Sequence, residues 1–273
     1  MRPAQCISPS LASGLLHVVI ASWAMNDNWL ELPASMGLTN AHFFVYRRQF
    51  EDVPLRAARG PCGIEVTERL LLPNHGRDAA AFYDYAESQR DSVLPAAVVF
   101  IHDHGPKTWH TSCSAFYGRI SLYYRKLVAS PELDVMITLT DKPNGEGNVD
   151  DQFGGRRLLG PEEESVCSAA LLKHNLSHTL GAPDQSHSQD KNYYSCCAMF
   201  IMPGRRLLRH SASLYGSLRK VVMDLEDDQW SGRICFEYLV WWLMDARAMD
   251  SERRDFYARA KEEAGKTEFS RYC

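Results

Sequence analysis

Residues 70–110 read LLLPNHGRDAAAFYDYAESQRDSVLPAAVVFIHDHGPKTWH, and their reading decides the fold. Pro73-Asn74-His75-Gly76-Arg77 is a loop, in which Gly76 permits a close backbone approach. A helix follows from Asp78, with Ala79, Ala80, Ala81, Phe82, Tyr85 and Ala86 forming a small-residue apolar face at helical spacing. Pro95 closes that segment. Ala96 to Ile101 is then a short continuous apolar run, the pattern of a strand covered on both faces. The strand runs out into His102-Asp103-His104-Gly105, with Trp109-His110 close behind. Ligands of open α/β sheets bind outside the carboxyl ends of the strands, so this polar cluster is the first candidate site.

Working outward, His17 to Trp23 is the expected first strand. His42 to Tyr46 is the second, ended by the basic pair Arg47-Arg48. Residues 51–65, with Pro54, Gly60, Pro61 and Gly63, read as an irregular connection, and Val66 to Leu72 as a third strand. Strand–loop–strand–loop–helix–strand succession predicts a largely parallel sheet with helical crossovers. Beyond the histidines, Ile120 to Val128 fits a strand or a helix, and Val135 to Leu139 fits a strand. Residues 141–161 read as a glycine-rich surface loop. Ser165 to Leu180 is an expected helix with Ala169, Leu172, Leu176 and Leu180 on its apolar stripe. Tyr193 to Met202 is the longest apolar run and reads as a central strand. Pro203-Gly204 turns it into a helix from Arg205, with Leu207, Leu208, Leu214, Tyr215 and Leu218 inside. Ile234 to Met244 is the last core element. The expected organisation is a disordered N-terminus over 1–13, one catalytic-type domain over 14–245, and a charged helix or tail over 246–273.

Composition excludes several classes. At 273 residues, 45% hydrophobic and 23% charged, the chain has the make-up of an ordinary globular protein. A formal net charge of −4 offers no general attraction to nucleic acid or anionic membrane. No apolar run approaches the roughly 20 residues of a membrane span. Eight cysteines (Cys6, Cys62, Cys113, Cys167, Cys196, Cys197, Cys235, Cys273) include no Cys-x-x-Cys pair, which argues against a zinc ribbon or a thioredoxin-type motif. Asn175-Leu176-Ser177 fits the glycosylation triplet, a pattern common by chance.

His102, Asp103, His104 and His110 form the densest set of ligand-type side chains. Imidazole and carboxylate together suit Zn²⁺, Mn²⁺ or Fe²⁺. Residues i and i+2 of a strand point the same way, so His102 and His104 can converge on one ion. A polar strand end with no ligand is the plain alternative. After Asn74, Arg77 and Asp78 suit a pyrophosphate contact and a ribose or base contact at a helix N-terminus, or else the helix is simply capped by Asn74 or Asp78. Glu237, in the apolar run ICFEYLVWW, suits a general base if burial raises its pKa, or else an ion pair with Arg205 or Arg233.

Four stretches together resemble a family catalogued as a domain of unknown function, number 3431. They are LLLPNHGRDAAAFYDY, VVFIHDHGPKTWH, YSCCAMFIMPGRRLLRH and SGRICFEYLVWWLM, in this order across most of residues 17–244. Members of that family have been regarded as glycosyltransferase-like, and the arrangement is similar to the GT-A fold of nucleotide-sugar transferases. That resemblance implies a single Rossmann-like α/β domain with a mostly parallel central sheet flanked by helices. It places Trp23 at the nucleotide base and Asn74, Gly76, Arg77 and Asp78 along the donor pocket. It sets His102-Asp103-His104 where such enzymes hold Mn²⁺ or Mg²⁺ on the diphosphate. Ser195, Cys196 and Trp241 fall on the acceptor side, and Glu237, with Asp103, makes the expected catalytic pair. One aspartate flanked by two histidines replaces the usual two carboxylates, which suits manganese better than magnesium.

The implied activity moves a sugar from a nucleotide-sugar to a hydroxyl of a carbohydrate or glycoconjugate, and it implies a Golgi or secretory-pathway location. Two other readings stay open. One is a metal-dependent hydrolase or metal-binding protein using His102, Asp103, His104 and His110; the other is a non-catalytic carbohydrate-binding domain. Outside the transferase reading the expected location is cytoplasmic.

Overall fold

The computed structural model describes residues 15–22, 41–48, 57–59, 64–71, 77–102, 113–139, 156–158, 161–176, 193–195, 199–225, 239–240, 243–244 and 259. Strands β1 (Leu16–Ser22), β2 (Ala41–Arg47), β3 (Ala57–Arg59) and β4 (Glu65–Leu70) precede helix α1 (Arg77–Gln89) and strand β5 (Ala97–His102). Helix α2 (Cys113–Ala129), β6 (Ile137–Thr138), β7 (Arg156–Leu158), helix α3 (Pro161–Lys173), β8 (Tyr193–Ser195) and β9 (Phe200–Pro203) follow. A 3-10 turn (Gly204–Arg209) and helix α4 (Ala212–Met223) come next.

Seven strands form one sheet in the order β3-β4-β2-β1-β5-β9-β6. The β4-β2-β1-β5 block is parallel throughout. β3 and β9 run against it, and β6 is antiparallel to β9. The result is a mixed, mostly parallel α/β sheet. All seven residues of β1 and all six of β5 are buried, as strands covered on both faces require.

Each face carries its own core. On one side Val19, Ala21, Phe44, Tyr46, Val98 and Phe100 meet Ala79, Ala80, Phe82, Tyr83 and Ala86 of α1, together with Tyr215, Leu218 and Val222 of α4. The run of alanines lets α1 lie close to the sheet, while its other flank packs on α4. Arg219 of α4 holds Glu87 of α1 at 2.9 Å and Asp84 at 3.4 Å, and Asp84 also meets Arg69 of β4 at 3.3 Å. On the opposite face Val18, Ile20, Phe43, Val45, Val99 and Ile101 pack on Phe116, Ile120, Tyr123, Tyr124 and Leu127 of α2. That spacing of four, three, one and three is helical, which resolves the ambiguous segment 120–128 as helix.

Several expectations are corrected. The apolar run 193–202 is not one strand: Tyr193–Ser195 pairs with β7 in a separate two-stranded sheet, and only Phe200–Pro203 joins the main one. β3 and β7 lie inside segments read as irregular. The stretch after Pro203 starts as a 3-10 turn, which leaves Leu208 49% exposed instead of inside. In α3 the expected stripe is misplaced, since Ala169 is exposed and Leu172 is 64% exposed. Ala170 and Leu171 pack on the core instead. The helix ends early because Asn175 adopts a left-handed φ of 57°. The Leu176 amide then reaches back to the Leu171 carbonyl at 2.8 Å, a Schellman-type stop that brings Leu176 inward from outside the helix.

The far edge of the fold is tied by arginines. Arg206, 2% exposed, donates to the Asp134 carboxylate at 2.9 Å and also to the carbonyls of Asp134 and Met244. His210 contacts the Leu243 carbonyl at 2.8 Å, and Leu239, Val240, Leu243 and Met244 are buried in the α1-side core. The part of the expected last core element that is described is therefore core. No helix among the described residues is long and apolar enough to cross a membrane.

Candidate functional site

The parallel strands run in the sequence order third, second, first, fourth: β4, β2, β1, β5. Successive connections therefore go one way from β1 through β2 to β4, and the next places β5 on the other side of β1. The reversal point lies between β1 and β5, and the crevice outside the carboxyl ends of these two strands is where such sheets bind ligands. Register puts Ala21 beside His102 there, and Ser22 beside Arg47 on the next strand.

His102 is the last residue of β5 and is 8% exposed. It shares the strand face of Val98 and Phe100, which pack against α1. Asp78 stands in the first turn of α1, where the helix dipole favours a carboxylate. Its Oδ2 lies 3.0 Å from His102 Nε2. The structure thus joins two of the expected site residues across an element boundary: one from the donor-pocket set and one from the histidine cluster. The Asp78 carboxylate is turned to an imidazole of the neighbouring strand.

The remaining expected residues divide simply. Arg77 opens α1 by its backbone, and Ser195 ends β8 opposite Arg156. Trp23, Asn74, Gly76, Asp103, His104, His110, Cys196, Glu237 and Trp241 lie outside the described residues. Arg205, offered as a partner for Glu237, donates to the carbonyls of Glu132 and Leu133 and stands 3.7 Å from Asp134.

Sequence reasoning gave no role to a second polar group on the same rim. Arg47 and Arg48 end β2 and are 1% and 2% exposed. Arg47 shares the face of Phe43 and Val45, and its Nε is 3.8 Å from the fully buried Glu68 carboxylate of β4. Arg48 donates from Nη1 to the Leu71 carbonyl at 2.7 Å, while its amide bonds the Ser22 carbonyl at 3.0 Å. It therefore ties together the three strand exits from which the loops of this rim depart. The sequence shows only a basic pair after the run HFFVY, which also fits a solvated strand exit, and it is burial that sets this pair apart.

The other histidines of the sheet sit at its opposite edge. His17 is 3% exposed, with Nδ1 2.8 Å from the Tyr85 hydroxyl, and His42 Nε2 is 2.8 Å from Thr67 Oγ1. Burial first, and the nearby His42 second, push the His17 pKa down to about 3, so the ring stays neutral at ordinary pH. His17 is a core group, and His42 lies half-buried beside it.

A divalent metal, which the GT-A resemblance implies, can be tested against the residues present. Two ligands at right angles, each about 2.1 Å from an ion, are about 3 Å apart. The Asp78–His102 separation of 3.0 Å fits two such neighbours. Among the described residues no third histidine, cysteine or carboxylate joins them. The pair is thus compatible with part of a metal site and does not make one by itself.

No family model, no curated protein and no solved structure matches this chain.

Proposed function

We propose that the chain is a glycosyltransferase of GT-A type, moving a sugar from a nucleotide-sugar to a hydroxyl acceptor. The observation that carries this reading is the Asp78–His102 pair at the reversal point of a 3-2-1-4 parallel block, the place where mononucleotide-binding sheets take their ligand. In support, α1 begins at the same rim, and the N-terminus of a 13-residue helix favours an anion such as a diphosphate.

In this reading the nucleotide lies over the ends of β1 and β5, with Trp23, Asn74, Gly76 and Arg77 along it. Asp78 fixes the His102 ring, which faces the diphosphate. Glu237 accepts the proton of the acceptor hydroxyl as its oxygen bonds to the anomeric carbon, and the bond from that carbon to the diphosphate oxygen breaks. Asp78 and His102, together with Asp103 and His104, are the residues that would hold a manganese ion. Such an ion would neutralise charge on the leaving diphosphate. His102 and Arg77 otherwise supply that stabilisation.

The test is a thermal-shift screen against UDP-, GDP- and CMP-sugars with and without Mn²⁺, followed by transfer assays on the donor that shifts the protein. A site held at 100 times its dissociation constant raises stability by about 2.7 kcal/mol, a readily measured change. Transfer abolished in Glu237→Gln and His102→Ala is the expected result; transfer untouched in both removes the assigned roles.

A second reading, a metal-dependent hydrolase, would use the same rim, with His102 as one of its ligands. Tight metal in the purified protein, with turnover of a phosphoester and no shift by any nucleotide-sugar, would select it.

A further inference from the structure

We infer that Asn175 is an acceptor for an N-linked oligosaccharide, displayed on a fixed turn beyond the end of α3. The secretory compartment in which the group is added comes from the transferase reading above; the geometry of the acceptor does not.

The triplet Asn175-Leu176-Ser177 is the chain's single Asn-x-Ser/Thr pattern. Such a pattern becomes a usable site only where the folded chain leaves its asparagine in solvent, because the attached group is bulky and polar. Asn175 meets that condition. The helix ends at Lys173, so the asparagine stands outside it, and its side chain is exposed. A φ of 57° puts Asn175 in the left-handed region, which asparagine enters more readily than most side chains do.

Both flanks of this residue are anchored, while Asn175 itself faces solvent. Before it, His174 Nε2 lies 3.2 Å from the carboxylate of Asp224, which caps the end of α4. After it, Leu176 is 8% exposed and packs into the α1-side core, with its amide on the Leu171 carbonyl at 2.8 Å. The asparagine is thereby presented on a turn pinned from either side. The adjoining surface of α3 is open as well, since Ala169, Leu172 and Lys173 are exposed. A sugar chain leaving Asn175 runs over this solvent-facing surface and leaves the buried contacts of Leu171 and Leu176 in place. Ser177 lies outside the described residues and enters through the sequence alone.

In the modification the amide nitrogen of Asn175 bonds to the anomeric carbon of an oligosaccharide carried on a lipid diphosphate. The bond from that carbon to the diphosphate oxygen breaks, the amide gives up one proton, and the lipid diphosphate leaves. Stopping the helix is the plain role for an asparagine here, but glycine serves that role as well. Asn175→Gly therefore separates the two.

The experiment expresses the full chain in eukaryotic cells behind a cleavable secretory leader. The secreted protein is examined by intact mass and peptide mapping before and after peptide N-glycosidase. Wild type should lose one oligosaccharide and gain an aspartate at position 175. Asn175→Gly keeps the turn and Ser177→Ala keeps the asparagine, and each should be free of the glycan. Secreted wild type with an unmodified Asn175, or a glycan confined to protein retained in the cell, overturns the inference. A glycan that survives in either variant overturns it too. A glycan at Asn175 on protein that binds no nucleotide-sugar would keep this site and remove the transferase. Sugar transfer by secreted protein with a bare Asn175 would do the reverse.

Discussion

Asp78 Oδ2 and His102 Nε2 stand 3.0 Å apart, although one sits in the first turn of α1 and the other ends β5, the next strand in the chain. The helix runs back along the sheet, so its first turn returns to the rim where β5 ends. The Asp78 side chain is 21% exposed, and His102 is largely buried at 10%. A double-mutant cycle with Asp78→Asn and His102→Gln should give a coupling of about 1 kcal/mol or less in urea unfolding. Loss of donor binding in each single variant should be much larger than that. A coupling of several kcal/mol with unchanged ligand binding would make the pair a structural element instead.

Acid should weaken the fold through His17. Its pKa is held near 3 in the folded protein, against 6.5 for the free group, chiefly by burial. Between those values the unfolded chain binds the extra proton, so stability rises with pH and is lost as pH falls below 6.5. By pH 4 the loss reaches on the order of 3 kcal/mol. His42, lowered first by burial and partly restored by Glu65, adds in the same direction. Urea midpoints at pH 7, 5.5 and 4 should fall steeply in wild type and less so in His17→Gln. Equal slopes would remove His17 as the cause.

The central block of this fold could be read from the chain because its signals are local. LHVVIAS, AHFFVYR and AVVFIH are apolar strands bounded by polar residues, and the alanines of α1 announce a helix pressed on a sheet. What failed depends on contacts distant in sequence. Nothing within YYSCCAMFIM shows that Tyr194 will pair with Arg157 while Phe200 pairs with Phe100. The α3 stripe failed because the tertiary placement turns Ala170 and Leu171, not Ala169 and Leu172, to the core, and the helix stops at Asn175 before Leu180. In the site, the polar end of β5 stood out in the sequence, whereas the partnership of His102 with Asp78 needed the topology. Arg47 was overlooked because a basic pair after a strand ordinarily marks a solvated exit, and only burial distinguishes the two.

Asp134 anchors three arginines, and its removal should be felt across the far edge. Arg206 and Arg209 each approach it at 2.9 Å, and Arg205 at 3.7 Å. Burial opposes its charge, but the attraction and hydrogen bonds of Arg206 and Arg209 prevail and hold its carboxyl below 3.8. This stabilisation is complete above that value and disappears as pH falls through the lowered one. Asp134→Ala leaves the buried Arg206 without its counter-charge and should cost about 2–4 kcal/mol. Adding Arg206→Met should recover part of that loss, because no uncompensated charge then remains. A cost below 0.5 kcal/mol for Asp134→Ala would show that the arginines need no carboxylate there.

Gly204 should tolerate no side chain. It starts the 3-10 turn directly after β9, and its amide bonds the Ala96 carbonyl at 3.0 Å, which draws its backbone against Pro95. A Cβ at this position would meet the Pro95 carbonyl oxygen at 2.0 Å, a backbone atom that can move only with the start of β5. Gly204→Ala should therefore destabilise by roughly 2–3 kcal/mol, as overpacking against fixed groups does. Gly216 is a useful contrast. Its Cβ would meet Glu87 Oε1 at 2.3 Å, the far end of a side chain that can swing away at the expense of its contact with Arg219. Gly216→Ala should cost less, since alanine is also the better helix former and returns about 1 kcal/mol within α4. Denaturant midpoints of the two variants, measured side by side, decide it; Gly204→Ala as stable as wild type would mean that β9 and Pro95 can part without loss.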